Sequence, residues 1–443
     1  MRSARLLVPV RSAWDASQVS ESGLDPLGLY MIADRLGVML VPGVRERQSD
    51  PRYLVPICAG AVIAEEVGVD ALAADGVSPP WQVYEWYVVE ALVRVHGRGE
   101  RLRGLPGHEK VTAALQRGEP VCARTYLKTP TVFGFHGVYR VLAETLRLID
   151  RDGRLMDRGL DLLQAWEDDT GLHGFVTGAG PGRDFKRRLA DAVEAGLAAG
   201  RTDRSAGWRG WHEMASHLDP AGAGPAVREA LWEILRRSGE IGWRAWLLDL
   251  LSSDGGARSR AEGSERSFHE RLRGRAPEAL GVLLDAISAY ERFARLLQDA
   301  FEELLYLATR HGRRMHVRAL ARSEVMERAA VGAPEAFESA RVALDGLGVK
   351  GLADEFAARF RRVGERSKTQ AWVEGLLAHH LEIQERKPPA GRAPWLDRFD
   401  DGTVLTRPRY RRDEGARGGG EYVHRYRAKP LLSFCVTLGK VQV

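Results

Sequence analysis

The 443 residues carry 65 Lys and Arg against 60 Asp and Glu, a net charge of +5, and 44% of them are hydrophobic. A chain of this length is expected to form two or three domains, and it has ample apolar material for their cores. The small positive charge does not by itself indicate nucleic-acid binding, and no uncharged apolar run is long enough to predict a membrane-spanning helix.

Three cysteines, Cys58, Cys122 and Cys435, stand far apart in the sequence. Their number is odd and no CxxC pair occurs, whereas a structural zinc site needs four Cys or His ligands, usually as two close pairs. We therefore expect reduced thiols in a cytoplasmic protein, without a metal ion or other cofactor. The apolar segment Leu6–Val10 is too short for the core of a secretion signal, in agreement with that location.

Residues 1–104 are expected to form a mixed, mostly helical N-terminal region. Its clearest element follows Pro80, where the segment WQVYEWYVVEALVRV places Trp81, Tyr84 and Val88 at helical spacing. Such an aromatic stripe is typical of a packed helix face.

Residues 105–170 show an ordered series of local signals. Residues 107–119 and 137–146 read as helices, and the apolar residues of 146–149 read as a short strand. The Asp152-Gly153 pair is a hairpin turn signal, because glycine tolerates the positive φ that a tight turn requires. A return strand follows, and Asp157 is placed to begin the next helix.

The segment LRLIDRDGRLMDRGLDLL (146–163) resembles the end of the winged-helix domain of many transcription regulators. The resemblance implies that helix 137–146 enters the DNA major groove and that the hairpin, as the wing, contacts the DNA backbone or the minor groove. The candidate DNA contacts are Lys128, His136, Tyr139, Arg140, Arg147, Arg151 and Arg154. Winged helices also dock proteins, so a purely structural or protein-binding role is the alternative.

Residues 183–386 read as an α-helical bundle that is interrupted by a polar, Gly- and Ser-rich linker at 251–267. Its longest helix has a wide apolar stripe between Leu280 and Leu305, at spacings of three and four residues. A stripe of this width predicts either a bundle core or a surface for a partner helix, and we expect protein partners to bind there.

Residues 387–443 are expected to form a basic tail with short strands, one of them at 431–439. From Arg407 to Lys440 the sequence has nine Lys and Arg against three acidic residues, with Tyr410, Tyr422 and Tyr426 among them. Interleaved basic and aromatic residues can follow a phosphate backbone and stack on bases. The candidate nucleic-acid contacts are Arg407, Arg409, Arg411, Arg412, Arg425 and Arg427. The alternative is a solvated basic tail or an edge hairpin.

One pattern could indicate catalysis. Glu385-Arg386-Lys387 has the ExK form of metal-dependent nucleases, in which carboxylates hold Mg²⁺ and the lysine polarises water. It falls at the end of a predicted helix instead of on a strand, and no GxSxG or HExxH motif is present. The sequence therefore favours a non-enzymatic protein with no catalytic residue, and a nuclease stays an alternative.

Four short segments near the end of the chain are similar to accessory proteins of multi-gene bacterial antiviral defence systems. They are KPPAGRAPW (387–395), RPRY (407–410), HRYR (424–427) and LLSF (431–434). The resemblance implies a subunit that works beside helicase, nuclease or methyltransferase partners. The sequence as a whole thus predicts a mainly α-helical accessory protein with a winged-helix-like module, associated with DNA; a helical scaffold that binds only proteins is the alternative.

Overall fold

The computed structural model describes residues 25–97, 102, 104–237, 242–310, 314–388, 391–416 and 419–441. The segment Leu6–Val10 lies outside these residues. The predicted mainly helical class is confirmed, with a small sheet near the C-terminus. The α-helices are α1 Tyr30–Leu40, α2 Leu54–Val67, α3 Pro80–His96, α4 His108–Gln116, α5 Pro130–Phe133, α6 Phe135–Thr145, α7 Asp157–Thr170, α8 Gly180–Ala199, α9 Gly210–Leu218, α10 Pro225–Arg237, α11 Arg244–Ser253, α12 Gly255–Gly263, α13 Glu265–Arg273, α14 Glu278–Arg310, α15 Val317–Leu320, α16 Glu324–Asp345, α17 Leu352–Gly364, α18 Thr369–Glu385 and α19 Ala428–Thr437. The strands are β1 Met315–His316, β2 Leu396–Arg398 and β3 Thr403–Thr406.

The chain divides into two units. Unit 1 contains the described residues up to 40 together with 263–426, and unit 2 contains 41–262 together with the described residues from 427 onward. The predicted module at 105–170 falls wholly within unit 2. The predicted bundle at 183–386 and the predicted tail at 387–443 are each divided between the two units.

Unit 1 is built around the long helix α14, which packs against α1, α13 and α16 and against strand β3. Its apolar stripe is buried along its whole length, from Leu280 to Leu305. Within this core the ring of Phe293 lies 5.3 Å from that of Phe356 and 5.4 Å from that of Phe360. The predicted partner-binding face is therefore the core of unit 1 itself, and the expectation that it binds other proteins is wrong.

The sheet of unit 1 has three antiparallel strands in the order β1-β3-β2. Met315 pairs with Val404, and Leu396 pairs with Thr406. Strand β3 also contacts α14, because the hydroxyl of Thr406 donates to the carbonyl oxygen of Leu305 at 3.1 Å. This sheet places residues 407–412 next to the end of the long helix.

Unit 2 surrounds helix α3, in which every residue from Pro80 to Val93 except Trp81 is buried. Helices α2, α4, α6, α8 and α9 all contact it. Because even Glu85 and Glu90 on this helix are buried, α3 is a central helix, and the helices of the 105–170 segment form part of its surroundings.

Two local predictions are wrong. Residues 251–267 are not an irregular loop but largely helical, because the carboxylate of Asp254 accepts from the first N–H groups of α12 and the hydroxyl of Ser264 caps α13. The boundary between the two units, at 262–263, does fall within this segment. Residues 431–439 are not a strand, because most of them belong to α19. That helix buries Leu431, Phe434 and Cys435 at helical spacing and packs on α11.

Candidate nucleic-acid interface

A short antiparallel ribbon stands between α6 and α7 in unit 2. Ile149 and Leu155 form an antiparallel bridge, and the N–H of Asp150 donates to the carbonyl oxygen of Arg154 at 2.9 Å. Gly153 has a φ of +84°, as the Asp-Gly turn signal predicted. The turn and its ribbon are confirmed, whereas the assignment to the winged-helix class stays a prediction.

Side-chain hydrogen bonds hold the backbone at the tip of this ribbon. One carboxylate oxygen of Asp150 accepts from the N–H groups of Asp152 and Arg154, both at 2.9 Å. In addition, the guanidinium of Arg140 donates to the carbonyl oxygen of Arg151 at 2.5 Å. The guanidinium groups of Arg151 and Arg154 are exposed and form no ion pair with any described residue. The backbone of the tip is thus held in place, and the guanidinium groups of Arg151 and Arg154 remain available to bind an anion.

Arg147 occupies a backbone conformation that usually belongs to glycine. It follows the C-terminal end of α6 with a φ of +58°, and its N–H donates to the carbonyl oxygen of Glu144 at 3.0 Å. The left-handed conformation costs a residue with a side chain about 1–2 kcal/mol. Its side chain is exposed and has no ion-pair partner in the described part of the chain. Backbone strain is often retained at functional sites, which makes the charge of Arg147 a candidate for ligand binding.

Arg147→Gly is expected to raise the free energy of unfolding by about 0.5–1 kcal/mol, because glycine relieves the strain but gains entropy in the unfolded chain. Chemical denaturation monitored by circular dichroism measures this change. Arg151→Gly is the control, since Arg151 is exposed on the same ribbon without a positive φ. Equal effects of the two substitutions would show that the strain at Arg147 costs nothing.

The predicted groove helix α6 is half-buried, and two of the predicted contacts on it face the interior of unit 2. Five of the eleven residues of α6, which the structure describes in full, are buried, and the other six are partly exposed. The ring of His136 stacks on Trp81 with centroids 4.4 Å apart, and the hydroxyl of Tyr139 accepts from the N–H of Asp50 at 2.8 Å. Burial lowers the pKa of His136 to about 3, so its ring is neutral. Neither His136 nor Tyr139 can therefore reach DNA, and both are wrong as nucleic-acid contacts.

Two predicted contacts near α6 have different surroundings. Arg140 is half-buried and forms an ion pair with Glu144 at 2.6 Å, so its charge is already partly engaged. Lys128 is exposed and has no ion-pair partner among the described residues. Of the predicted contacts in this region, the exposed ones are therefore Lys128, Arg147, Arg151 and Arg154.

A second group of cations lies in unit 1, where residues 407–412 pass the C-terminal end of α14. The N–H of Arg412 donates to the hydroxyl of Thr309 at 3.3 Å, which brings the segment beside Arg310. We call Arg310, Arg409, Arg411 and Arg412 the arginine surface. All four are exposed, and none forms an ion pair with a described residue. The sequence did not indicate Arg310, because about 100 residues separate it from the others.

An aromatic side chain lies within the arginine surface. Tyr410 is half-buried and stacks face to face on Trp395, with centroids 4.4 Å apart and planes 2° apart. The guanidinium of Arg409 lies 5.9 Å from the centroid of the Tyr410 ring. This arrangement resembles the mixture of cations and flat rings that follows a nucleic-acid strand.

The rest of the predicted basic tail is less available. Arg407 forms an ion pair with Asp397 at 2.7 Å. Arg427 is only 1% exposed, and its side chain donates to the carbonyl oxygen of Val44 at 3.1 Å. Arg427 is therefore a structural residue of unit 2 and is wrong as a nucleic-acid contact, whereas Arg425 is exposed.

The ExK pattern does not form a recognisable metal site. The ammonium of Lys387 is buried and donates to the carbonyl oxygen of Asp25 at 2.6 Å, and burial lowers its pKa. Glu385 is exposed at the end of α18. Among the described residues, no group of three or more His, Cys, Asp or Glu side chains could hold a metal ion. Lys387 anchors the main chain at Asp25 instead of facing a site with Glu385.

No helix in the described ranges has the length and apolar character that crossing a membrane requires. Comparison of the chain with models of protein families, with curated proteins and with solved structures found no match.

Proposed function

We propose that this protein is a nucleic-acid-associated accessory subunit that contacts the phosphate backbone through exposed arginines. The observation that carries the proposal is the ribbon in unit 2, where Arg147, Arg151 and Arg154 project from an ordered backbone without ion-pair partners among the described residues. Guanidinium groups recognise phosphate well, because their donors form a rigid fork and their charge is permanent. The arginine surface of unit 1 offers the same chemistry beside an aromatic ring.

The buried position of α6 makes this proposal specific about the kind of recognition. Base-specific readout needs side chains that reach base edges in a groove. Because His136 and Tyr139 of α6 are buried and Arg140 is paired with Glu144, we propose binding to the backbone that is largely independent of sequence. Its affinity should therefore fall steeply as the salt concentration rises.

The test is a fluorescence anisotropy titration with labelled duplex DNA at several salt concentrations. Reversing the charge of Arg151 and Arg154 together is expected to weaken binding and to reduce the slope of log K against log salt by about 2, one per lost phosphate contact. Arg183 and Arg187, both exposed on α8 of the same unit, provide a control with an identical change in charge. If both double variants weaken binding equally, only net charge is involved and the ribbon is not the interface.

The arginine surface is tested separately by reversing Arg409, Arg411 and Arg412. The matched control reverses the exposed residues Lys350, Arg361 and Arg366 in the same unit. Affinity is measured with both single-stranded and duplex DNA. For the form that binds more tightly, we expect the first variant to lose more affinity than the control does. A wild-type chain that binds neither DNA even at low salt would refute the proposal.

The accessory role beside a nuclease or helicase belongs to the same proposal and rests on the resemblance of the C-terminal segments. The genes on either side of this one provide its test, since an accessory subunit is expected beside genes for such enzymes. A scaffold that binds only proteins has lost its main support, because the stripe from Leu280 to Leu305 is buried within unit 1.

A further inference from the structure

A cavity in unit 2 lies apart from the ribbon, between the end of α3, the end of α4 and the loop at 201–206. Its volume is about 640 Å³, within the range of small-molecule sites. A second cavity of about 380 Å³ adjoins it and shares Arg94, Leu115 and Ala206 with it. Together they form one groove with a polar half and an aromatic half.

The polar half is lined by three arginines, Arg94, Arg201 and Arg204. Arg201 is exposed and has no ion-pair partner in the described part of the chain. Of the carboxylates in the same wall, Glu90 is paired with Arg94 at 2.7 Å and Glu119 with Arg117 at 2.9 Å, and the exposed Asp203 forms no ion pair with a described residue. At least one guanidinium is therefore free to bind an anionic group.

Two buried polar atoms in this wall have no partner among the described residues. Glu90 is 1% exposed, and one of its oxygens accepts from both Nε and Nη2 of Arg94, at 2.8 and 2.7 Å. Its second oxygen has no hydrogen-bond partner, and neither has the Nε–H of Arg204. Such atoms are rare in folded proteins because each is costly, and each calls for an explanation. A ligand that carries both an N–H donor and an acceptor oxygen would match the chemistry of these two atoms.

The aromatic half is formed by two tryptophans with Val95 and Leu115. Trp208 is half-buried and meets the ring of Trp211 edge to face at 5.1 Å. The guanidinium of Arg204 lies 5.5 Å from the centroid of Trp208. A flat ring can thus pack here directly beside the cations of the polar half.

The loop that carries these arginines is held in place. The buried Thr202 donates its N–H to the carbonyl oxygen of Val121 at 2.8 Å, and its hydroxyl accepts from the N–H of Val121 at 3.1 Å. The next N–H, of Asp203, donates to the hydroxyl of Tyr87 at 2.9 Å. A preformed wall loses little entropy when a ligand binds.

We propose that this groove binds a mononucleotide, with its phosphate on Arg201 and Arg204 and its base against Trp208. A nucleotide combines the three features that the groove requires: an anion, a flat ring and N–H donors on that ring. This site does not depend on the proposed contacts with DNA, because it shares no residue with the ribbon or with the arginine surface.

Isothermal titration calorimetry of the full chain with AMP, GMP, CMP and UMP tests the proposal, with adenosine and inorganic phosphate as partial ligands. We expect at least one mononucleotide to bind, and each partial ligand to bind at least about 10-fold more weakly, because it lacks either the charged contact or the stacked ring. Binding of no mononucleotide at about 1 mM would overturn the proposal. Equal binding of phosphate alone would overturn it as well, because the aromatic half would then contribute nothing.

Arg201→Ala is expected to weaken nucleotide binding about 10-fold or more. Arg209→Ala is the control, since Arg209 is a highly exposed arginine nearby that does not line the groove. Equal affinity of the two variants would overturn the assignment of the phosphate. The ribbon variant with Arg151 and Arg154 reversed should bind nucleotide as the wild type does, so this site and the DNA interface can fail independently.

Discussion

Replacing Glu291 with alanine should lower the free energy of unfolding of unit 1 by about 3–5 kcal/mol, the cost of breaking a buried and paired charge. Glu291 lies on α14 and is 1% exposed. Its carboxylate accepts from the imidazole N–H of His424 and from the hydroxyl of Tyr426, both at 2.7 Å, and from the N–H of Val423 at 2.5 Å. Without it these donors remain buried and unpaired.

The pKa of the Glu291 carboxyl is lowered, as expected for a carboxylate that accepts from these donors. Burial by itself raises the pKa of the carboxyl, but His424 and the hydrogen bonds from Tyr426 and Val423 lower it more, so that its pKa is below the ordinary value. The stabilisation is therefore present above the unfolded pKa and is lost as the pH falls.

Urea denaturation at neutral pH, combined with hydrogen exchange of the amides of α14, measures the loss in unit 1. Glu291→Gln should retain part of the stability, because the amide oxygen can still accept. Glu338→Ala is the control, since it removes only a surface ion pair with Arg341 and is expected to cause only a small loss of stability. A loss of that small size for Glu291→Ala would show that the network contributes little.

The second large effect is a pH dependence that originates at Glu85 in the centre of unit 2. Burial raises the pKa of this carboxyl to about 7, although hydrogen bonds from the hydroxyl of Tyr126 and the N–H of His136 lower it in part. Because the ordinary pKa is 4.5, the folded chain holds the proton more tightly than the unfolded chain does. The contribution of Glu85 is fully present below pH 4.5 and is lost as the pH rises through 7, a total of about 3 kcal/mol.

Glu85→Gln should remove this loss, because the amide is uncharged at every pH and can accept from His136 while donating to the hydroxyl oxygen of Tyr126. Melting temperatures of the wild type and the variant between pH 4.5 and 8 give the comparison, with hydrogen exchange of α3 as the local readout. The two curves should converge at acid pH and separate as the pH rises through 7. Parallel curves would contradict the raised pKa.

His136 acts in the opposite direction. Because burial lowers its pKa from 6.5 to about 3, its contribution is present above pH 6.5 and is lost as the pH falls through about 3. In Glu85→Gln, unit 2 should therefore lose stability on the acid side without the loss near neutral pH that the wild type shows.

The segment at 105–170 shows what local patterns can predict. The turn at Asp152-Gly153, the ribbon around it and the start of α7 at Asp157 agree with the sequence, because each depends on residues close together in the chain. Which residues of α6 face solvent could not be predicted from local patterns in the same way. Whether Tyr139 faces solvent depends on Asp50, which lies 89 residues earlier.

The secondary-structure predictions at 431–439 and 251–267 are wrong for a different physical reason. The apolar run at 431–439 is short, and a short apolar run can form either a strand or a buried helix. Packing against α11 decides the matter, because helical spacing buries Leu431, Phe434 and Cys435 together. At 251–267, capping by Asp254 and Ser264 outweighs the low helix propensity of the glycines.

The sequence by itself determined the mainly helical class, the apolar stripe of α14 and the Asp-Gly turn, because periodicity and turn chemistry are local properties. Only the tertiary structure decided which arginines face water and which polar residues share a cavity. Arg411 is exposed, whereas Arg427, in the same basic segment, is buried against Val44, 383 residues away. Burial depends on such distant partners, and for this reason a list of basic residues could not distinguish a candidate phosphate contact from a structural cation.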